Sequence, residues 1–254
     1  MKRAFEWLRR HPEGIVFLVG TLLFTGGLAA VIKRQLSPDP APSVSAGPTH
    51  PGASAARVGP ANDEALKPYI ERRKSVLAAR ASKEPRKSSF AVVSFDSYRK
   101  PAEVSDFLAR ESVAVWSLEM RVPVPRFKSE KILVRGRPLA EASADFTGPG
   151  RVEALSREMA SLQAVAAGTV DPAFKQVYEQ GADGHRKAIE ILKAGGGTVF
   201  AVVVEASHST LARIASRTGV RLVDLPEDPS ATPADYEFAG ILPEDTTTAR
   251  FAVE

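Results

Sequence analysis

The sequence contains no cysteine, which excludes disulfides, thiolate metal ligands and cysteine nucleophiles. Histidine is scarce as well: His11 and His50 lie near the N-terminus, which leaves His185 and His208 for the rest of the chain. These two residues are 23 positions apart and have no metal-ligand spacing around them. We therefore expect no metal site and no cofactor.

Sequence motifs for phosphate binding and for catalysis are also missing. Gly195-Gly196-Gly197 precedes a predicted strand and lacks the Lys-Ser/Thr pair of a phosphate-binding loop. Ser207-His208-Ser209 has no Gly-x-Ser-x-Gly elbow, and a serine at a helix start is explained by capping. Basic residues are not interleaved with aromatics as in nucleic-acid-binding proteins. The sequence therefore favours a protein that is not an enzyme and does not bind nucleic acid.

One long uncharged run, residues 14–32 (GIVFLVGTLLFTGGLAAVI), lies near the N-terminus. Its 19 residues would span about 28 Å as a helix, close to the roughly 30 Å hydrocarbon core of a membrane. The run is longer than the apolar part of a cleaved signal peptide, about 7–15 residues, so we expect an uncleaved anchor. Four basic residues precede it and two follow closely, which places residues 1–13 in the cytoplasm and the C-terminal domain outside. The chain is thus predicted to be a single-pass protein of the cell membrane.

Between the anchor and the domain lie a linker and a basic segment. Residues 33–61 are rich in Pro, Ser, Ala and Gly, which predicts a disordered linker. Residues 62–87 are predicted to form a basic amphipathic helix in which Arg72, Arg73 and Lys74 lie largely opposite the apolar side. These three residues are candidates for binding acidic lipid head groups or an acidic partner. The alternative, a solvated helix face without a partner, is favoured because runs of charge usually mark such faces.

Residues 88–225 contain two strand–helix–strand patterns that both begin with FAVV, at 90–93 and at 200–203. Two such units predict an α+β domain with a ferredoxin-like split βαβ sheet. The two FAVV strands are expected to be antiparallel neighbours at its centre. The helices at 101–110 and 208–217 are expected side by side on one face.

A helical insertion at 150–194 separates the two units. Its apolar residues recur at helical spacing and include Leu155, Leu162, Phe174 and Val177. We expect the insertion either to cover the opposite face of the sheet or to project as a partner-binding arm, and the burial of these four residues decides between the two. Residues 226–254 are predicted to be an acidic tail.

Two stretches of the domain resemble known proteins. VFAVVVEASHSTLARIASRTGVRLVDLPED and the later FAGILPED resemble the C-terminus of single-pass membrane proteins from high-GC Gram-positive bacteria. SFAVVSFDSYRKPAEVSDFLARESVAVWSLEM is more distantly similar to the extracytoplasmic domain of sigma-factor regulators. The first resemblance implies a membrane anchor without a stated activity, and the second implies regulation. Some relatives carry cysteines before the third strand, where this chain has Gly195-Gly196-Gly197, so a cysteine-based role does not carry over.

These observations favour a membrane-anchored extracytoplasmic module for binding, regulation or scaffolding. Its expected partners are the cytoplasmic membrane and either another membrane or envelope protein or further copies of itself. A sigma-factor regulator is the first alternative, although residues 1–13 are very short for a sigma-binding segment. A surface hydrolase is the second alternative, and it would need a polar cleft in which His185 or His208 has a carboxylate neighbour.

Overall fold

Strands and helices are mixed along the chain in the computed structural model, which describes residues 56–134 and 136–249. The predicted span at 14–32 lies outside these residues, and no helix within them is long and apolar enough to cross a membrane. The strands are β1 (Ala56–Val58), β2 (Ser88–Arg99), β3 (Ala114–Met120), β4 (Glu130–Leu133), β5 (Val199–Ser207), β6 (Val220–Asp224) and β7 (Tyr236–Phe238). The helices are α1 (Leu66–Lys83), α2 (Pro101–Ala109), α3 (Leu139–Thr147), α4 (Pro149–Gly168), α5 (Pro172–Lys193) and α6 (His208–Ala215).

Five strands form one sheet in the order β4-β3-β5-β2-β6, and all neighbouring strands are antiparallel. The domain is therefore α+β with an antiparallel sheet, as predicted. The two FAVV strands, β2 and β5, pair antiparallel in the middle of the sheet, with Val92 opposite Val203. Their apolar residues are buried on both faces, which explains why both strands read as continuous apolar runs.

One face of the sheet carries the helices of both strand–helix–strand units. Val104 of α2 and Leu211 of α6 belong to the same buried core as Phe95 of β2. The two helices are also linked by an ion pair, because Arg213 of α6 lies 2.6 Å from Glu111, just after α2. The prediction that these helices share one face is confirmed.

The opposite face is covered differently from the prediction. The packed parts of α4 and α5 join the same core as α2 and α6, as Leu155 and Leu192 show. The opposite face is covered instead by β1, by β7, which pairs with β1 in parallel, and by the chain after β7. Val58, Phe238 and Leu242 pack there against the central strands.

Both ends of the domain therefore differ from the sequence-based boundaries. β1 begins at Ala56, inside the predicted linker, and residues 226–249 are part of the folded domain rather than a tail. The acidic composition of this segment concealed it, since it has few large apolar residues, although Phe238, Ile241 and Leu242 are buried. α1 begins at Leu66 rather than at residue 62, because the backbone N–H of Asp63 donates to the Ala249 carbonyl (3.0 Å) and holds the preceding turn outside the helix.

The insertion is also more regular than its sequence suggests. α5 continues through Gly181 and Gly184 without a break. A Cβ at Gly181 would lie 3.2 Å from a methyl carbon of Leu162, so the glycine allows α4 and α5 to approach closely. α3 was not predicted.

Candidate functional site

The α4–α5 hairpin is half buried in the core and half projecting from it. Its base buries Leu155, Ala188 and Leu192. At its far end the side chains are exposed: Phe174 is 62% accessible and Val177 is 52% accessible. Val170, in the loop between the two helices, is 96% accessible. We call Val170, Phe174 and Val177 the arm tip.

The four predicted insertion residues therefore separate into two groups. Leu155 covers the sheet and Leu162 is half-buried beside Gly181, whereas Phe174 and Val177 are exposed together. The base of the hairpin packs on the sheet, but on the face that carries α2 and α6 rather than on the opposite face as expected, and a partner at the exposed end stays a prediction. The local sequence stabilises the exposed end, because the Asp171 carboxylate accepts a hydrogen bond from the backbone N–H of Ala173 (2.8 Å) and caps α5.

The three basic residues of α1 do not form one patch. Arg73 turns into the domain, where its Nε donates to the carboxylate of Asp224 and a terminal nitrogen donates to the Leu225 carbonyl. Arg72 remains at the surface and pairs with Glu64 at 2.9 Å, and Lys74 is exposed. The sequence carries a signal for this arrangement, since Arg73 is spaced on the buried side of α1 with Leu66, Tyr69 and Leu77.

Asp224 is the buried centre of this network. The hydroxyl of Tyr69 donates to one carboxylate oxygen, and Arg73 donates to the other. Burial raises the pKa of Asp224, while the charge of Arg73 and the hydrogen bonds from Tyr69 and Arg73 oppose the increase. The network joins α1 to the end of β6, so it fixes α1 on the domain and leaves Arg73 unavailable to a partner.

A second site was missed by sequence reasoning: a cleft of about 730 Å³ at the end of β2 and β3. It is lined by Tyr98, Arg121 and Glu244, and we call it the Arg121 cleft. Its lining also includes Pro123, Val124, Pro125, Leu242 and Pro243.

Two donors in the Arg121 cleft meet one carboxylate. The hydroxyl of Tyr98 donates to Glu244 Oε2 (2.9 Å), and Arg121 Nη1 donates to Glu244 Oε1 (2.9 Å). Burial and the nearby charge of Glu244 raise the pKa of Tyr98, so its hydroxyl keeps its proton and acts as a donor. No local sequence signal joins these residues, because they are brought together only by the packing of the C-terminal segment.

The two histidines of the domain have separate surroundings. His208 is fully buried, with Nε2 2.9 Å from Ser89 Oγ and Nδ1 3.0 Å from the Glu84 carbonyl oxygen. Because that carbonyl can only accept, Nδ1 carries hydrogen. Ser207, rather than Ser209, is the serine that caps α6, by accepting from the backbone N–H of Thr210 (3.2 Å).

His185 has the carboxylate neighbour that the hydrolase alternative requires. Its Nε2 lies 2.9 Å from Glu158 Oε2, on the surface between α4 and α5. Its Nδ1, however, is 2.9 Å from the Gly181 carbonyl oxygen, so both ring nitrogens have partners and neither is free for a nucleophile. Within residues 56–134 and 136–249, no group of three His, Asp or Glu residues is placed to hold a metal ion.

The chain was compared with protein-family models, with curated proteins and with solved structures, and no match was found in any of the three. Functional inference therefore rests on the geometry of the domain.

Proposed function

We propose that the protein is a membrane-anchored extracytoplasmic binding or scaffold module, and that its arm tip contacts another membrane or envelope protein. The observation that carries the proposal is the arm tip itself. Phe174 and Val177 expose more than half of their side chains at the end of a hairpin whose base is fixed in the core. Apolar side chains exposed next to one another are typical of protein interaction sites.

The surroundings of the arm tip also resemble a protein interface. Lys175, Gln176 and Glu179 are exposed beside the apolar residues and supply a polar rim. The buried base gives the arm a defined position, which reduces the entropy lost when a partner binds. A helical hairpin of this kind is suited to packing against helices of a partner.

We also propose that the domain is a ferredoxin-like fold with additions. The supporting observation is that β2-α2-β3 and β5-α6-β6 interleave their strands in the order β3-β5-β2-β6. β4 then extends one edge, and α3, α4 and α5 form the insertion. In a sigma-factor-regulator version of the proposal, the partner is the chain that carries the sigma-binding segment.

Site-specific photo-cross-linking in intact cells tests the proposed function. A photoreactive residue replaces Phe174 in the full chain, and the same residue at Lys187 is the control because that position is exposed on the same helix nearer the base. We expect a discrete adduct from position 174 and none from position 187. Adducts that are identical at both positions, or absent at both, would contradict a partner at the arm tip.

The composition of the adduct identifies the partner class. A different protein in the adduct supports the scaffold proposal, whereas an adduct of twice the chain mass shows that the partner is a second copy. Serine at Val177 should reduce the adduct formed from position 174, because the substitution removes part of the apolar contact without disturbing a buried residue.

A further inference from the structure

The Arg121 cleft has a largely buried guanidinium and a much more exposed carboxylate. Arg121 is 11% exposed, whereas Glu244 is 47% exposed. Tyr98 lies near the end of β2, and Arg121 directly follows β3. The two donors are thus placed by the sheet, while the carboxylate they hold is supplied from a surface turn.

The turn that carries Glu244 does not depend on its carboxylate. Arg221 donates to the backbone carbonyls of Leu242 (2.8 Å) and Asp245 on either side of Glu244. The backbone N–H of Ile241 donates to the hydroxyl of Ser94 (3.0 Å). The Glu244 side chain can therefore leave the two donors while the backbone of the turn remains in place.

If Glu244 left, Arg121 would keep a largely buried charge without its partner. Such a charge is costly, so another anion is required in its place. A guanidinium and a hydroxyl that point at one group match the two oxygens of a carboxylate. Arg126 lines the same cleft and is exposed, which adds a second positive charge. Asp96 and Asp245 also line the cleft. Asp96 lies 3.8 Å from Arg99, and both carboxylates interact with the charge of Arg221, so their negative charges are partly offset.

The walls of the cleft define the remainder of the ligand. The lining includes Pro123, Val124, Pro125, Leu242 and Pro243, so an apolar group would contact apolar side chains beside the donors. A volume of about 730 Å³ is within the ordinary range of small-molecule and peptide-end sites.

We infer that the Arg121 cleft binds ligands that carry a carboxylate next to an apolar group, and that Glu244 takes the place of this carboxylate when no ligand is bound. The C-terminus of an apolar peptide and a small organic acid share this chemistry. The inference is independent of the arm tip, so failure of one leaves the other standing.

Binding is measured by fluorescence anisotropy on the full chain in lipid nanodiscs. The probes are a fluorescein-labelled hexapeptide ending in Ala-Val-Leu with a free carboxylate and the same peptide with a C-terminal amide. Glu244→Gln removes the resident carboxylate and keeps the side-chain shape. Its control is Glu237→Gln, which removes an equal charge from an exposed position on the same segment.

We expect Glu244→Gln to bind the free-acid peptide at least about tenfold more tightly than the unaltered chain, because the internal competitor is gone. Glu237→Gln should bind like the unaltered chain, and the amide peptide should bind neither variant. Equal affinity of Glu244→Gln and Glu237→Gln for the free acid, or equal affinity for acid and amide, overturns the inference.

Two variants in the Glu244→Gln background test the donors. Tyr98→Phe removes only the hydroxyl and should weaken binding by about tenfold. Arg121→Lys keeps the charge but loses the planar fork, so it should also weaken binding. Circular dichroism confirms that each variant is folded, and Tyr98→Phe alone decides the question if the arginine variant is not. Unchanged affinity in a folded Tyr98→Phe variant contradicts the assignment.

Competition with butyrate distinguishes the two ligand sources. If butyrate displaces the peptide at concentrations close to the peptide Kd, the cleft takes small organic acids. If displacement requires concentrations about a thousandfold higher, peptide residues contribute most of the affinity and the end of a peptide chain is the ligand. Either result supports a carboxylate site.

Discussion

Two adjacent arginines of α1 illustrate how burial assigns different roles to similar residues. Arg73 is 11% exposed and pairs with the buried Asp224, whereas Arg72 is 59% exposed and pairs with Glu64 at the surface. From the sequence, both were candidates for one basic patch because they are consecutive basic residues. The structure assigns Arg73 to the stability of the domain.

Substitution of these arginines should therefore have unequal effects on stability. Arg73→Gln leaves the Asp224 carboxylate without its cation and should cost about 3–5 kcal/mol. Arg72→Gln should cost less than about 1 kcal/mol, because exposed ion pairs contribute little. Urea unfolding of a fragment comprising residues 54–254 measures both, and equal losses would contradict the burial difference.

Glu119 is a buried carboxyl group, and loss of its proton is expected to destabilise the fold. Burial raises the pKa of Glu119 from 4.5 to about 7, and the Lys131 ammonium group, 3.9 Å away, opposes the increase only in part. The unfolded chain loses the proton near pH 4.5 and the folded chain near pH 7. The favourable contribution of the protonated form is therefore complete below pH 4.5 and is lost as the pH rises through 7.

Replacing Glu119 by glutamine should remove this pH dependence. At pH 8 we expect Glu119→Gln to be more stable than the unaltered domain by up to about 3 kcal/mol, and at pH 4 nearly equal to it. Urea unfolding at the two pH values measures the difference. A variant that is less stable at pH 8 would show that the charged carboxylate is stabilising in the fold.

Ser207, His208 and Ser209 contribute to stability in more ways than helix capping. Capping alone predicts that replacing all three by alanine costs about 1 kcal/mol. Ser207 is the cap, but His208 is buried and bonded to Ser89 and to the Glu84 carbonyl. The prediction from sequence therefore omits the larger contribution.

Single substitutions should separate the two contributions. Ser207→Ala should cost about 1 kcal/mol, and His208→Ala about 3 kcal/mol or more, because it leaves unpaired polar groups beside a cavity. Thermal unfolding of the two variants measures the difference. Equal losses would mean that the His208 hydrogen bonds contribute nothing net.

At the scale of elements, the α4–α5 hairpin is buried at its base and exposed at its far end. Helical spacing in the sequence predicted both helices, but it could not distinguish their halves. Leu155 and Phe174 each belong to a run of apolar residues at helical spacing. Leu155 is nevertheless buried, whereas Phe174 is 62% exposed. The difference arises from which half overhangs the sheet, and that is set by tertiary packing.

The two halves should respond differently to substitution. Leu155→Ala should destabilise the domain by about 2–5 kcal/mol, since it opens a cavity in the core. Phe174→Ser should change stability by less than about 0.5 kcal/mol, because the side chain has little contact to lose. Urea unfolding again compares them, and a large loss at Phe174 would mean that the arm tip is packed in solution.

At the scale of the whole molecule, the centre of the sheet and the helices α2 and α6 on one face were predictable, whereas the cover of the opposite face was not. The two FAVV strands carry a long apolar pattern, and their pairing followed from the order of elements. β1 and β7 have three residues each, which is too short for a recognisable strand pattern. They also lie near opposite ends of the domain sequence, so no local signal predicts that they pair. The Arg121 cleft escaped prediction for the same reason, since Glu244 belongs to that C-terminal cover.

We propose above all that the arm tip lies outside the cell and is covered by a partner. Because the chain has no cysteine, a single introduced thiol is a clean probe. Val177→Cys and the control Lys187→Cys are treated with a membrane-impermeant maleimide, in intact cells and again after detergent. We expect Lys187→Cys to react in intact cells and Val177→Cys to react only after detergent releases the partner. Reaction of Lys187→Cys only after lysis would contradict the topology, and equal reaction of both in intact cells would contradict the partner.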